Sequence, residues 1–228
     1  MILKQWDNIP DNLKNDDVKK YYDIISNKKI SLIIKRIFDI FVSFTLLICL
    51  LPLFMVIAIM IKIDSRGPIF FRQERVTEYG RVFKIFKFRT MINNADKLGT
   101  QVTVENDSRI TKTGNLLRKI RMDEIPQLIN ILIGDMSFVG TRPEVLKYVN
   151  SYSDEMKATL LMKAGVTSLA SIRFKDEDKL LSSCDNVDEV YIDKILPQKM
   201  KYNLEYLENF NFFYDIKLMF KTFLAVIN

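Results

Sequence analysis

The residues best able to do chemistry are concentrated in ITKTGNLLRKIRMDEIPQLINILIGDMSFVGTRPE, residues 110–144. Asp123 and Glu124 stand side by side there, closely preceded by Arg118, Lys119 and Arg121, with Pro126 just beyond. An ionised aspartate beside a phosphoryl group neutralised by arginine is what covalent phosphoryl transfer through an aspartyl phosphate requires. Pro126, the apolar run Leu128, Ile129, Ile131 and Leu132, and Gly134 are helix start and stop signals, placing Asp123 near an N-cap. A helix start would favour negative charge, whether the carboxylate's or a phosphate's. The same residues also read as a plain acidic helix cap, and spacing alone leaves both readings open. In residues 82–89, Phe86 and Phe88 fall on one face and Lys87 and Arg89 on the other. That is either a half-buried strand with a solvated basic edge or a pair of phosphate-facing cations.

Composition removes whole classes of mechanism. The 228 residues include no histidine, which excludes Ser-His-Asp hydrolysis, HExxH metalloproteases and His-ligated metals. Chemistry must then come from carboxylates, lysine, hydroxyls or a hard cation. Cys49 and Cys184 lie far apart and suggest neither a disulfide framework nor a thiolate cluster, which fits a reducing compartment. A net charge of +6, unevenly placed, suits phosphate-rich partners.

The elements that must position the site follow from hydropathy. Residues 1–30 are polar, with no secretory signal pattern. Residues 37–61 are the apolar run IFDIFVSFTLLICLLPLFMVIAIMI, uncharged for 22 residues from Ile40 to Ile61. That length could cross about 30 Å of hydrocarbon. However, Pro52 kinks a helix at its middle. Lysines and arginines also flank both ends: Lys28, Lys29, Lys35 and Arg36 before, Lys62, Arg66, Arg72 and Arg75 after. A spanning helix would leave four of them on the disfavoured side, whereas a re-entrant helix satisfies both flanks. Asp39 is expected to pair with Lys35 and Arg36 in a structural role. Residues 67–91 predict a short hairpin around Glu78-Tyr79-Gly80, lying under this anchor. Residues 188–228 read as helical, and their last part, 210–228, fits an interfacial amphipathic helix or a core helix equally.

Taken in order, these features resemble the monotopic phosphoglycosyl transferases, the bacterial sugar transferase family that initiates surface glycan synthesis. The resemblance runs from about Lys35 to about Glu177. It rests on Lys35-Arg36-Ile37-Phe38-Asp39, Pro52, Gly67-Pro68-Ile69-Phe70-Phe71-Arg72-Gln73, Lys87-Phe88-Arg89-Thr90-Met91 and Arg118. It continues through Asp123-Glu124-Ile125-Pro126-Gln127-Leu128, Gly134-Asp135-Met136-Ser137, Val139-Gly140, Arg142-Pro143 and Gly165-Val166-Thr167. Two positions depart from the family pattern: Thr141 where a proline is usual, and Leu51 where many members have serine.

The resemblance implies transfer of a sugar 1-phosphate from a UDP-sugar to undecaprenyl phosphate, with UMP released and Mg²⁺ as cofactor. Asp123 is then the nucleophile and Glu124 a metal ligand or base, both contributing to the metal. Arg118, Arg142, Lys87 and Arg89 become phosphate contacts, and Pro52 the break in the anchor. The implied architecture is an α-rich α+β fold, a re-entrant helix hairpin packed on a small catalytic domain with interfacial amphipathic helices. Its segments are residues 1–30 (polar extension), 31–63 (anchor), 64–187 (catalytic) and 188–228 (helical). The implied place is the cytoplasmic face of a bacterial inner membrane, in contact with membrane lipid and not nucleic acid; the sequence leaves the oligomeric state, a homodimer included, unfixed. A non-catalytic scaffold gripping anionic lipid is the alternative, but it gives no reason for Asp-Glu-x-Pro framed by arginines.

Overall fold

The computed structural model describes residues 2–93, 95, 107–174 and 186–227. It is a helix-rich α+β fold with two small two-stranded sheets. Helix α1 (Asp16–Ser26) precedes the long α2 (Lys29–Cys49) and α3 (Leu51–Asp64). Strands β1 (Phe70–Val76) and β2 (Val82–Phe88) form an antiparallel hairpin in the register Phe70↔Phe88 to Val76↔Val82. The turn falls at Glu78–Gly80, as the sequence predicts, with Tyr79 and Gly80 both at positive φ (57° and 75°).

Helices α2 and α3 meet at Leu50 with a bend of 61°. Leu50 still donates to Leu46 O, and Phe54 N donates to Leu50 O. Pro52 therefore lies in the first turn of α3, where a missing N–H costs no helical bond and a fixed φ favours the new helix. Among the described residues no single helix is long and apolar enough to cross a membrane.

The polarity of α2 is reversed relative to a soluble helix. Its buried face is Leu32, Lys35, Asp39 and Ser43, while Ile33, Ile37, Phe41, Phe44 and Ile48 face outward. Lys35 donates to Val139 O (2.8 Å) and to Asp215 Oδ2 (2.5 Å). Arg36 donates to Ile131 O and Leu132 O, satisfying carbonyls at the end of the helix Gln127–Ile133. Asp39 corrects the sequence reading: it accepts from Ser137 Oγ and Phe138 N rather than pairing with Lys35 or Arg36. Those cations find partners on other elements, which spacing along one helix cannot reveal.

After α4 (Lys112–Lys119) come a 3₁₀ turn (Met122–Glu124), α5 (Gln127–Ile133) and β3 (Met136–Val139). Strand β3 pairs in parallel with β4 (Ala164–Thr167), with α6 (Leu146–Val149) between them. Gly140 and Gly165 approach so closely that a Cβ on either would collide with the other's strand backbone. Helix α7 (Leu169–Arg173) follows, then α8 (Val187–Val190), a π turn (Tyr191–Ile195), α9 (Leu196–Asn209) and α10 (Phe212–Ile227).

The main core gathers residues from both ends of the chain. Ile9, Leu13, Val18, Tyr21 and Ile25 pack with Leu160, Leu161, Met200, Leu207 and Phe210. The polar N-terminal stretch is thus a structural part of the fold. The hairpin is covered on both faces: Phe83 and Ile85 pack with Leu128 and Ile131, and Phe88 packs with Ile57, Ile61 and Leu117. Full burial of each such side chain stabilises by about 1.5–3 kcal/mol. In α10, Asp215 and Leu218 point inward while Phe213, Phe220 and Phe223 are exposed, so its apolar surface, like that of α2, is outward.

Candidate active site

Four of the seven residues singled out in the sequence meet in one cluster: Asp123, Glu124, Lys87 and Arg142. Lys87 comes from β2, whose position is fixed by Asn130 of α5. The Asn130 carboxamide accepts from Phe86 N (2.8 Å) and donates to Lys84 O (3.1 Å), replacing a neighbouring strand. Asn130 is fully buried, a polar residue inside the apolar run of α5. Sequence reasoning passed over it, although an amide in such a run is the signal that could have found it. Arg142 comes from the loop beyond β3, held where Gly140 donates to Thr167 O and Gly165 to Thr141 O.

The dyad itself sits on the 3₁₀ turn, following Arg121 in the left-handed conformation (φ 56°). That conformation is uncommon for a residue with a side chain, and it reorients the chain between α4 and the dyad. Helix α5 starts only at Gln127, with Pro126 as its N-cap. Asp123 is therefore not the cap that spacing suggests. Gly134 does end the helix, in the left-handed conformation (φ 94°).

The two carboxylates have opposite surroundings. Glu124 Oε1 accepts from Lys87 Nζ (2.8 Å) and from Arg142 (2.5 Å). Burial opposes its charge, but Arg142 and Lys87 outweigh burial and hold its pKa well below the ordinary value. The Arg142 pKa is raised in turn, chiefly by Glu124. Asp123 accepts no hydrogen bond among the described residues, and its pKa is raised. Burial is the largest cause, and the charge of Glu124 adds to it, against the pull of Lys87, Arg118 and Arg142. Burial also lowers the Lys87 pKa, despite the opposing effect of Glu124. Arg118, in the last turn of α4, is near enough to act on Asp123 through charge but is not hydrogen-bonded to it.

Arg89 and Pro52 lie apart from the cluster. The Arg89 guanidinium is buried and donates to Ser65 O, Ser65 Oγ, Arg66 O and Ile61 O, fastening the end of α3 to β2. Pro52 is at the bend of the helix pair.

Among the described residues no cluster of three or more His, Cys, Asp or Glu side chains could hold a metal ion. Magnesium needs no such cluster, because it commonly takes one or two carboxylates and completes its shell with substrate phosphate and water. The pair Asp123 and Glu124 fits that form. Asp123 offers oxygens free of protein donors, and Glu124 could join by giving up Lys87 or Arg142.

Comparison with known proteins gives a consistent result. The family described as bacterial sugar transferase matches residues 30–228. A UDP-N-acetylgalactosamine-undecaprenyl-phosphate N-acetylgalactosaminephosphotransferase of Aeromonas hydrophila is 32% identical over 85% of this chain and 44% of its own length. A UDP-glucose:undecaprenyl-phosphate glucose-1-phosphate transferase of Escherichia coli is 34% identical over 83% of this chain and 39% of its own. An uncharacterized sugar transferase of Bacillus subtilis, EpsL, is 33% identical over 82% of this chain and 84% of its own. The chain thus spans less than half the length of the first two relatives.

Proposed function

The chain belongs to the bacterial sugar transferase family, and from that premise we propose that it transfers a sugar 1-phosphate from a UDP-sugar to undecaprenyl phosphate. The observation that carries this reading is the uneven dyad. Lys87 and Arg142 both donate to Glu124, which leaves Asp123 half-buried and without a hydrogen-bond donor among the described residues.

In the first step an Asp123 carboxylate oxygen attacks the β-phosphorus of the donor. The bond from that phosphorus to the oxygen bridging to the α-phosphate breaks, UMP leaves with the electron pair, and the sugar phosphate is joined to Asp123. In the second step a phosphate oxygen of undecaprenyl phosphate attacks the same phosphorus, and Asp123 departs as carboxylate. Each step needs cations aimed at the phosphoryl oxygens. Arg142 and Lys87 are already gathered by Glu124, and Arg118 approaches from the side of α4. Glu124 holds these cations in place between turnovers. Asp123 and Glu124 would hold magnesium, which would supply further neutralisation of the diphosphate charge.

The lipid acceptor accounts for the reversed helices. Outward apolar residues along α2, α3 and α10 together exceed what a soluble surface carries without purpose. A re-entrant α2–α3 pair, with α10 beside it in the interface, buries these faces in one leaflet and keeps basic flanks at one surface. The soluble donor and the lipid acceptor then meet at Asp123. The bacterial inner membrane, at its cytoplasmic face, is the proposed location.

UMP release from a panel of UDP-sugars, with and without undecaprenyl phosphate in detergent, tests the activity. We expect release that multiplies when the acceptor is added. Lipid binding with no UMP from any donor would favour a scaffold.

A further inference from the structure

Resting on the transferase reading, a second buried cluster stands directly behind the site. Glu144 is two residues beyond Arg142 and accepts from the Tyr191 hydroxyl (2.5 Å) and from Lys199 Nζ (3.4 Å). Lys199 also donates to the Tyr191 hydroxyl (2.8 Å). All three are more than nine-tenths buried, Glu144 at 7%, Tyr191 at 3% and Lys199 at 5% exposure. Tyr191 opens the π turn that precedes α9, and Lys199 is carried by α9 itself. The cluster thus joins the C-terminal helices to the loop that carries Arg142.

The backbone of that loop is held from the opposite side. Arg75 donates to Pro143 O (3.4 Å) and Val76 N donates to Glu144 O (2.9 Å), both from the end of β1. Arg142 itself ends on Glu124. Consecutive residues 142, 143 and 144 are therefore held between the dyad turn, β1 and the C-terminal helices.

Stability alone is a poor reason for this arrangement. Removing a carboxylate and an ammonium from water is costly, and apolar residues of similar volume commonly serve a core as well or better. Fixing one geometry is a better reason. Arginine presents a planar fork whose bidentate contacts depend on where its backbone stands, more than the point charge of lysine does. A loop shifted by about an ångström can cost on the order of a hundredfold in rate.

We infer that Glu144, Tyr191 and Lys199 form a positioning cluster that sets the Arg142 guanidinium for the donor diphosphate. These residues touch no substrate; they act through Arg142.

The test is a double-mutant cycle read as kcat/KM for the UDP-sugar. Tyr191→Phe keeps the ring and its packing and removes the hydroxyl that bridges Glu144 and Lys199. We expect about a tenfold loss with Arg142 intact and less than a twofold loss in an Arg142→Lys background, since contacting residues acting as a unit are non-additive. Lys199→Met should repeat the pattern. Equal fold-losses in both backgrounds, tracking a fall in Tm, would assign the cluster to folding alone and overturn the inference. Wild-type kcat/KM in Tyr191→Phe would overturn it too. Either result leaves the transferase reading standing, whereas no UMP release from the wild-type chain would remove both.

Discussion

Lys35 and Lys87 each meet a carboxylate within this fold, and the contrast between the two separates a cluster that fastens elements from the one proposed to react. At Lys35 every partner is matched. Asp215 accepts from Lys35 through one oxygen and from Tyr206 through the other (2.8 Å), and Asp39 is held by Ser137 and Phe138. This cluster ties α2 to β3 and α10. At Lys87 the matching is lopsided. Glu124 takes both cations, and Asp123, one residue away, takes none by hydrogen bond. The first arrangement fastens elements together. The second keeps one carboxylate short of donors in a setting that disfavours its charge, so a phosphoryl group and its counter-charges improve matters on arrival.

The largest effect should come from the reactive cluster and touch rate alone. Asp123→Asn keeps the shape and loses the proposed nucleophile, so UMP release should fall by about three orders of magnitude or more. Unchanged detergent extraction and circular dichroism would show that the fold survives. Wild-type turnover, with deamidation excluded by mass, would erase the distinction between the clusters.

The structural cluster should behave the other way. Asp215→Asn strands Lys35, which is 2% exposed, and breaking a buried pair costs about 3–5 kcal/mol. Denaturant midpoints should drop accordingly, while the protein that remains folded keeps its KM for the UDP-sugar. A variant with normal stability and altered KM would move Asp215 into the site.

A finer test uses the sign of pH-linked stability within the dyad. The Asp123 pKa is raised, chiefly by burial, so its contribution is present at low pH and lost as pH rises through the folded value. Asp123→Asn should therefore be more stable than wild type at neutral pH, by an amount that shrinks as the medium is acidified. The Glu124 pKa is lowered, with Arg142 and Lys87 overcoming burial, so its contribution is present above the ordinary glutamate value and lost as pH falls. Glu124→Gln should cost about 1–3 kcal/mol at neutral pH and little in acid. Urea midpoints across pH for both variants check this, and slopes of the same sign would contradict it.

Much of this was legible in the sequence, for reasons that can be traced to particular residues. The hairpin was, because alternation through residues 82–88 and the Glu78-Tyr79-Gly80 turn are local signals. The convergence of Lys87, Asp123, Glu124 and Arg142 was legible only through the ordered family resemblance, since they come from separate elements. Asp123 was misplaced as a helix cap because the left-handed Arg121 and the 3₁₀ turn after it have no marker such as glycine. Arg89 was grouped with Lys87 by strand alternation, yet its guanidinium goes to the carbonyls that end α3, a contact set by tertiary packing. The N-terminal stretch was read as polar from its composition, although Val18, Tyr21 and Ile25 already spell one apolar helix face. Asp39 and Lys35 were paired along their own helix, when burial had assigned each to another element.

Asp123 is the residue proposed to carry the sugar phosphate between donor and acceptor. Intact-protein mass spectrometry after mixing the chain with UDP-sugar and magnesium, without undecaprenyl phosphate, tests it directly. We expect one added sugar phosphate per chain, mapped to Asp123, matched by one equivalent of UMP and discharged when undecaprenyl phosphate is supplied. UMP release that proceeds with no adduct, or an adduct that forms equally on Asp123→Asn, would contradict the account.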